Sequence, residues 1–331
     1  MIREEQKLVE NIFNIEEIEQ VPTRNGFGDG LAEVGDRDES VVAVCADLAG
    51  STRTEKFRQK FPDRYIEAGV AEQNMAALAS GLANYGKIPY IASYAAFSPG
   101  RNNEQIRTTI SLNNVPVKIV GAHSGVSVGP DGATHQALED IALMRVQPNM
   151  KVIVPADAEE ARKATHVAYE TNSPVYIRLT REKTPLFTTH DSPFEFGKAN
   201  VLFDPDEAEV TIFTCGPLTY NALFAAHELE EEGIRVAVVN VHTVKPLDEE
   251  TILSFAERTN AVVSVEEHQV AGGLGSAISE FLSQRHPSPQ EFVGVFDRFG
   301  QSGEPEELIE HYGMDVGSIK EAVRKVISRK Q

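Results

Sequence analysis

Glu67-Ala68-Gly69-Val70-Ala71-Glu72-Gln73-Asn74-Met75 sets one carboxylate, Glu72, where an extended segment gives way to an Ala-rich helix. Before it, Asp63-Arg64-Tyr65-Ile66 reads as short and strand-like; after it, Met75, Leu78, Ala79 and Leu82 recur at helical spacing and predict one packed apolar face. The first turn of a helix favours an ionised acid, because its free N–H groups point at it. Small and apolar neighbours would desolvate the same acid and favour its protonated form. A carboxyl balanced between the two states suits proton relay, although an acid of this kind is also often only a helix-start residue.

Working outward, short continuous apolar runs alternate with helical patterns. Val41–Cys45, Ile88–Ala92, Val117–Gly121, Val152–Pro155 and Pro174–Leu179 read as buried strands, and Thr54–Phe57, Glu104–Arg107 and the stretch after Asp157 as helices. This rhythm predicts a mainly parallel sheet covered on both faces, an α/β doubly wound fold. Near 184–206 the pattern lapses into Pro-, Thr- and Asp-rich sequence, and a second α/β block follows with strands at Val210–Thr214, Val236–Asn240 and Ala261–Val265. The expected organisation is a leading amphipathic helix over 1–20, a first α/β domain over 21–187, a linker over 188–206 and a smaller α/β domain over 207–331.

The 331 residues carry 31 basic and 50 acidic side chains, a formal charge of -19, which argues against nucleic acid or an anionic membrane surface as the main partner. A phosphorylated substrate would need a local gathering of cations within this acidic molecule. No run of 18 apolar residues occurs, and the charged start is unlike a signal peptide. Cys45 and Cys215 lie in or beside apolar runs, as reduced cysteines of a cytoplasmic protein do. No Cys/His spacing suggests zinc.

Ligands of open parallel sheets bind beyond the carboxyl ends of the strands. Asp47, Glu72, Tyr94 with Phe97, His123 and Arg181 all follow predicted strands. A second motif, Gly129-Pro130-Asp131-Gly132-Ala133-Thr134-His135-Gln136, displays an acid and a histidine on a glycine-flanked loop.

In this order the residues resemble the second half of transketolase: the pyrimidine-binding and C-terminal domains of that thiamine-diphosphate enzyme. The resemblance covers the chain beyond its leading segment. It implies that Glu72 hydrogen-bonds N1′ of the cofactor's aminopyrimidine, so that the 4′-nitrogen can take the thiazolium C2 proton. Tyr94 and Phe97 would pack on the pyrimidine, and Asp47 would stand on the same side. Arg24, Ser51, His123 and Arg181 would bind a sugar phosphate, with Arg181 favoured over Arg178. Asp131 and His135 would bind sugar hydroxyls, and His135, like Glu72, is the expected catalytic group. A third aromatic of the pyrimidine slot is replaced by Gly100-Arg101-Asn102-Asn103.

The resemblance also implies a domain holding Mg²⁺ and the cofactor diphosphate, marked by Gly-Asp-Gly and a later Asn. Gly28-Asp29-Gly30 is present, but no strand is predicted before it and no Asn follows between Asp36 and Asp63. A helix start or turn is the better reading of those three residues. The expectation is therefore a split transketolase: this chain transfers a two-carbon ketol unit between sugar phosphates only with a separate subunit that carries the diphosphate and Mg²⁺ site, two copies of each forming a heterotetramer. The competing readings are a 1-deoxyxylulose-5-phosphate synthase-like enzyme, a 2-oxo-acid dehydrogenase beta subunit and a non-catalytic scaffold subunit. The glycine-rich Val270–Ser276 loop after Glu266-Glu267-His268 reads as a structural strand–helix junction in a domain used for association.

Overall fold

The computed structural model describes residues 1–330. In the first half its strands are β1 (Gln20–Pro22), β2 (Val41–Cys45), β3 (Tyr65–Glu67), β4 (Ile88–Tyr94), β5 (Lys118–Ala122), β6 (Lys151–Ile153), β7 (Val175–Arg178) and β8 (Lys183–Pro185). In the second half they are β9 (Asn200–Phe203), β10 (Val210–Thr214), β11 (Val236–Asn240), β12 (Thr243–Lys245), β13 (Val262–Gln269) and β14 (Gln290–Val295).

Two sheets organise the chain, as the alternating pattern predicts. The larger runs β12-β6-β7-β5-β4-β2-β3, and the smaller β14-β13-β10-β11-β9. Pairing is parallel except where β12 meets β6 and β9 meets β11. β2, β5, β10 and β11 are buried along their whole length, because helices cover both faces of each sheet. No helix among the described residues is long and apolar enough to cross a membrane.

Several local expectations differ from the fold. Residues 1–20 form no amphipathic helix: a 3₁₀ turn at Glu4–Gln6 and further turns lead into β1, which pairs with β8. The apolar residues still serve, since Ile12 and Ile18 bury into the cluster containing Phe187, Phe203 and Tyr220. Most of that cluster lies in the second half of the chain, and docking on it removes the need for a self-contained helix. Asp63 and Arg64 belong to a 3₁₀ turn, and the strand begins at Tyr65. β9 lies within the stretch expected to be linker, where it closes the edge of the smaller sheet beside β11. β12 leaves the second block altogether and extends the larger sheet.

Gly28-Asp29-Gly30 lies inside the helix Thr23–Arg37, which follows β1 directly. Its glycines answer to packing. A Cβ on Gly28 would lie 2.7 Å from that of Arg53, and one on Gly30 would lie 2.9 Å from the Arg162 carbonyl oxygen in the helix Ala158–Glu170. The approach is closest at Gly26, where a Cβ would meet the Ala158 oxygen at 1.7 Å. The Gly26→Ala protein should therefore be less stable by roughly 1–3 kcal/mol, because the two helices must part. Gly81→Ala, in the exposed middle of the helix Glu72–Asn84 with nothing within 4 Å of the new carbon, should be more stable by up to about 1 kcal/mol. Urea midpoints of the two variants check both signs.

Candidate active site

The order of the larger sheet brings the strand-end residues together. β7, β5, β4 and β2 are consecutive neighbours and parallel, so the residues that follow Arg178, Ala122, Tyr94 and Cys45 emerge side by side along one edge. Arg181, His123, the Tyr94–Phe97 pair and Asp47 occupy those positions. Arg24 joins them from the first turn of the helix Thr23–Arg37, and Ser51 from the short helix Ala49–Thr52.

Glu72 opens the helix Glu72–Asn84 and is only 1 % exposed. Its Oε2 accepts a hydrogen bond from Arg101 Nη1 at 2.9 Å. Its Oε1 has only a long contact from the Ser93 hydroxyl on β4, 3.4 Å away, which leaves acceptor capacity on that oxygen. Arg101 also lies over the Phe97 ring, 4.6 Å from its centroid. The replacement of an expected aromatic by Arg101 thus puts a cation on the carboxylate. Its four-residue spacing from Phe97 is the one signal in the sequence that could have pointed to it.

Tyr94 and Phe97 are near-parallel with centroids 6.0 Å apart. His123 stacks on Tyr94 at 3.8 Å, and His135 stands edge-on to Phe97 at 5.4 Å. Four candidate rings therefore form one cluster. His123 is 2 % exposed and has φ of +54°, a left-handed conformation that turns the chain off β5. Arg24 Nη1 donates to His123 Nε2 at 3.3 Å and to the Ser51 carbonyl oxygen at 2.9 Å. Because a guanidinium can only donate, Nε2 is the acceptor and the ring proton sits on Nδ1. That Nδ1 is buried without a partner, as is Arg24 Nε. Burial first, then the Arg24 and Arg181 guanidiniums, hold the His123 pKa down at about 3.

Arg24 is itself pushed below the usual guanidinium pKa by burial and by Arg53 and Arg181. Three guanidiniums and a neutral imidazole thus converge in a chain of net charge -19. Arg53 follows Ser51 by two residues, and its Nε donates to Asn25 Oδ1 at 2.8 Å. Nothing beyond its nearness to Ser51 marked it in the sequence.

Arg181 Nη1 donates to the Val128 carbonyl at 2.9 Å and lies 3.6 Å from Asp131 Oδ1, so it ties the strand end to the loop Val126–Asp131. Arg178 is buried and committed elsewhere: its Nε donates to Asp140 Oδ2 at 2.8 Å. Arg181 also pairs with Glu182, its Nε 3.3 Å from Oε1, but unlike Arg178 it is partly exposed and can face a ligand. His135 Nδ1 pairs with the Thr134 hydroxyl at 2.8 Å. Asp47 is exposed, has φ of +59° and is held through its backbone N–H by Glu67 Oε1 at 2.8 Å; its carboxylate makes no hydrogen bond in the site. The Val270–Ser276 junction is structural in its contacts: His268 Nε2 accepts from the Ile141 N–H at 3.2 Å, and Glu266 accepts from Leu274 and Gly275 at the next helix.

A two-domain α/β chain with a buried glutamate at a helix start and a cationic strand-end cluster is the architecture of one half of a thiamine-dependent enzyme. Residues 19–186 match the family model "Transketolase, pyrimidine binding domain", and residues 197–319 match "Transketolase, C-terminal domain". The chain is 40 % identical over 309 residues to a "Putative transketolase C-terminal section" of Methanocaldococcus jannaschii, covering 92 % of this chain and 96 % of that one. It is 39 % identical to a "6-deoxy-6-sulfo-D-fructose transketolase subunit" of Clostridium sp. strain MSTE9, with 93 % and 95 % covered. The solved "Split gene transketolase, inactive beta4 tetramer" superposes with a TM-score of 0.87 at 43 % identity, covering 94 % of this chain and 100 % of that one. The chain belongs to the transketolase family and carries its pyrimidine-binding and C-terminal domains.

His123 should remain uncharged across the physiological range. An unfolded imidazole takes its proton near pH 6.5 and the folded one near 3. His123 therefore contributes stability that is fully present above pH 6.5 and is lost as pH falls toward 3. In ¹⁵N-imidazole NMR its nitrogens should show no titration between pH 5 and 8; a midpoint inside that range would contradict the burial and charge arrangement.

Proposed function

We propose that the chain is the pyrimidine-binding subunit of a split, thiamine-diphosphate-dependent transketolase. It moves a two-carbon ketol unit from a ketose phosphate to an aldose phosphate in the cytoplasm. The observation that carries the reading is the pairing of a buried, half-satisfied Glu72 carboxylate with a separate cationic cluster whose Arg24 Nε and His123 Nδ1 lack partners. The first suits a ring nitrogen that shares a proton, and the second suits a phosphate.

Thiamine diphosphate, when bound, supplies the carbon nucleophile and the electron sink of the reaction. Glu72 would offer Oε1 to the pyrimidine's ring nitrogen, and Arg101 steadies the carboxylate through Oε2. Tyr94 and Phe97 offer the apolar faces for that ring, with Asp47 on the same side. Arg24, His123, Ser51 and Arg181 bind the sugar phosphate. In this set His123 is a neutral donor through Nδ1–H, so it adds a hydrogen bond without adding charge. Asp131 and His135 bind the sugar hydroxyls, and His135 moves a proton to and from the substrate.

The diphosphate and its Mg²⁺ are assigned to a partner subunit. The one Gly-Asp-Gly of this chain lies inside the helix Thr23–Arg37, where its glycines answer to close packing. Two copies of each subunit would form the working heterotetramer. Ketose phosphates of the pentose series are the first substrates to examine; a relative's name points to a sulfonated sugar as well.

Co-expression with the diphosphate-binding subunit should give ketol transfer from xylulose 5-phosphate to ribose 5-phosphate, whereas the purified chain alone should give none. Turnover by the chain alone would refute the split. In the complex, Glu72→Gln should cut kcat at least 100-fold, the scale of losing one acid–base group, while size-exclusion chromatography shows assembly intact. Near-full activity would sink the role given to Glu72. Arg24→Leu should raise KM for the phosphorylated donor about 10- to 100-fold, the weight of charge-assisted hydrogen bonds. The effect should be much smaller for the unphosphorylated ketose, and steady-state kinetics on the two donors separates these outcomes.

A further inference from the structure

The loop bearing both site histidines is held from the other domain. At the end of β13, the Glu267 carboxylate is buried and accepts the Ser127 N–H at 2.7 Å through Oε1. The chain passes so close to this acid that a Cβ on Gly125 would lie 2.2 Å from Oε1, and Gly125 takes φ of +85° there. Arg178 fixes the acid's own backbone by donating to the Glu267 carbonyl at 2.8 Å. At the far end of the loop, Gln136 Nε2 donates to the Val126 carbonyl at 3.0 Å and to the Gln301 carbonyl of the second domain at 2.9 Å. His123 precedes the first anchor by two residues from Gly125, and His135 immediately precedes the second.

Among the described residues no hydrogen bond or ion pair joins the Glu267 side chain to a candidate site residue, and the chemistry assigned above makes no use of it. A buried acid placed against a loop amide of the other domain calls for another role. We propose that Glu267 is a positioning residue: from the second domain it seats the Ser124–Gln136 loop, with Gln136 closing the other end, so that His123 and His135 stand at the phosphorylated sugar. The proposal rests on the substrate-binding reading of those two histidines. Under it the C-terminal domain takes part in substrate recognition through the loop.

The test compares Glu267→Ala, Glu267→Asp and Glu267→Gln in the full chain. Ala removes the acceptor, Asp withdraws it while keeping the charge, and Gln restores an oxygen that can accept from Ser127. Hydrogen exchange should quicken about tenfold or more across 123–136 in the Ala and Asp proteins, the factor that goes with losing a hydrogen bond of ordinary strength, and stay near wild type in Gln. In the complex with the diphosphate-binding subunit, KM for the sugar phosphate should rise about tenfold in Ala and Asp, by the same reasoning. Thiamine diphosphate affinity should be unchanged in all three, and Gln should rescue KM. Unchanged exchange in the Ala and Asp proteins would overturn the proposal. So would a KM defect that Gln fails to rescue, or one matched by an equal loss of cofactor affinity. If Ala fails to fold, the Asp and Gln proteins decide alone. Exchange needs no catalysis, so a wild-type complex without transketolase activity would defeat the functional reading and leave this positioning to be judged by itself.

Discussion

The buried cation of Arg178 is the constraint around which the two halves of the molecule are arranged. At 3 % exposure a guanidinium is tolerable only if its charge is met and its donors are used. Asp140 meets the charge at 2.8 Å, the Tyr176 hydroxyl donates to the same carboxylate oxygen at 2.6 Å, and the Glu267 carbonyl takes another guanidinium proton. Desolvation works against its charge, but Asp140, Glu267, Tyr176 and the hydrogen bond to Asp140 together raise the pKa of Arg178, so it stays charged. One side chain thereby locks β7 of the larger sheet, the start of the helix Asp140–Arg145 and β13 of the smaller sheet into a single arrangement. Loss of either partner would strand a charge in the interior, a cost of about 3–5 kcal/mol.

A second buried contact between the halves has the same logic with weaker charges. Asn240 on β11 donates to Glu160 Oε1 at 2.8 Å, while the neighbouring Asp157 caps the helix that Glu160 belongs to and receives the backbone of Phe187 and Thr188. Burial and the adjacent Asp157 lift the Glu160 pKa to about 7. With β12 completing the larger sheet, the two units share strands, polar contacts and core. The active-site edge is therefore built on a joint framework, and the loop carrying His135 can draw support from both sides.

Within that framework the candidate site separates charge by task. Glu72 lies at a helix start with one guanidinium on its Oε2, while Arg24, Arg53 and Arg181 gather around a neutral His123 at the end of β5. Keeping His123 uncharged limits the repulsion among Arg24, Arg53 and Arg181 while preserving a directional donor. Such a cluster is costly in an empty site and becomes favourable when an anion enters, which is how local basic character arises in an acidic protein.

Much of this was legible in the chain itself. The apolar run at Val41–Cys45 and the β-rich Val210–Thr214 read as strands buried on both faces, which placed the polar residues after such runs at strand ends. From these came the doubly wound class and the candidates from Asp47 to Arg181. The misjudged parts share one cause. Residues 1–20 have helical spacing but find their apolar partners far away, and in Gly28-Asp29-Gly30 the first glycine answers to Arg53 and the second to a helix more than a hundred residues later. Periodicity reports which side of an element is buried and is silent about what buries it. Close packing shows why Arg181 rather than Arg178 can face a ligand, and sheet order and register alone decided that Arg101 rests on Glu72 and that an acid of the second domain reaches the loop of the first. Those outcomes are contacts between distant residues, and only the folded chain brings their partners within bonding distance.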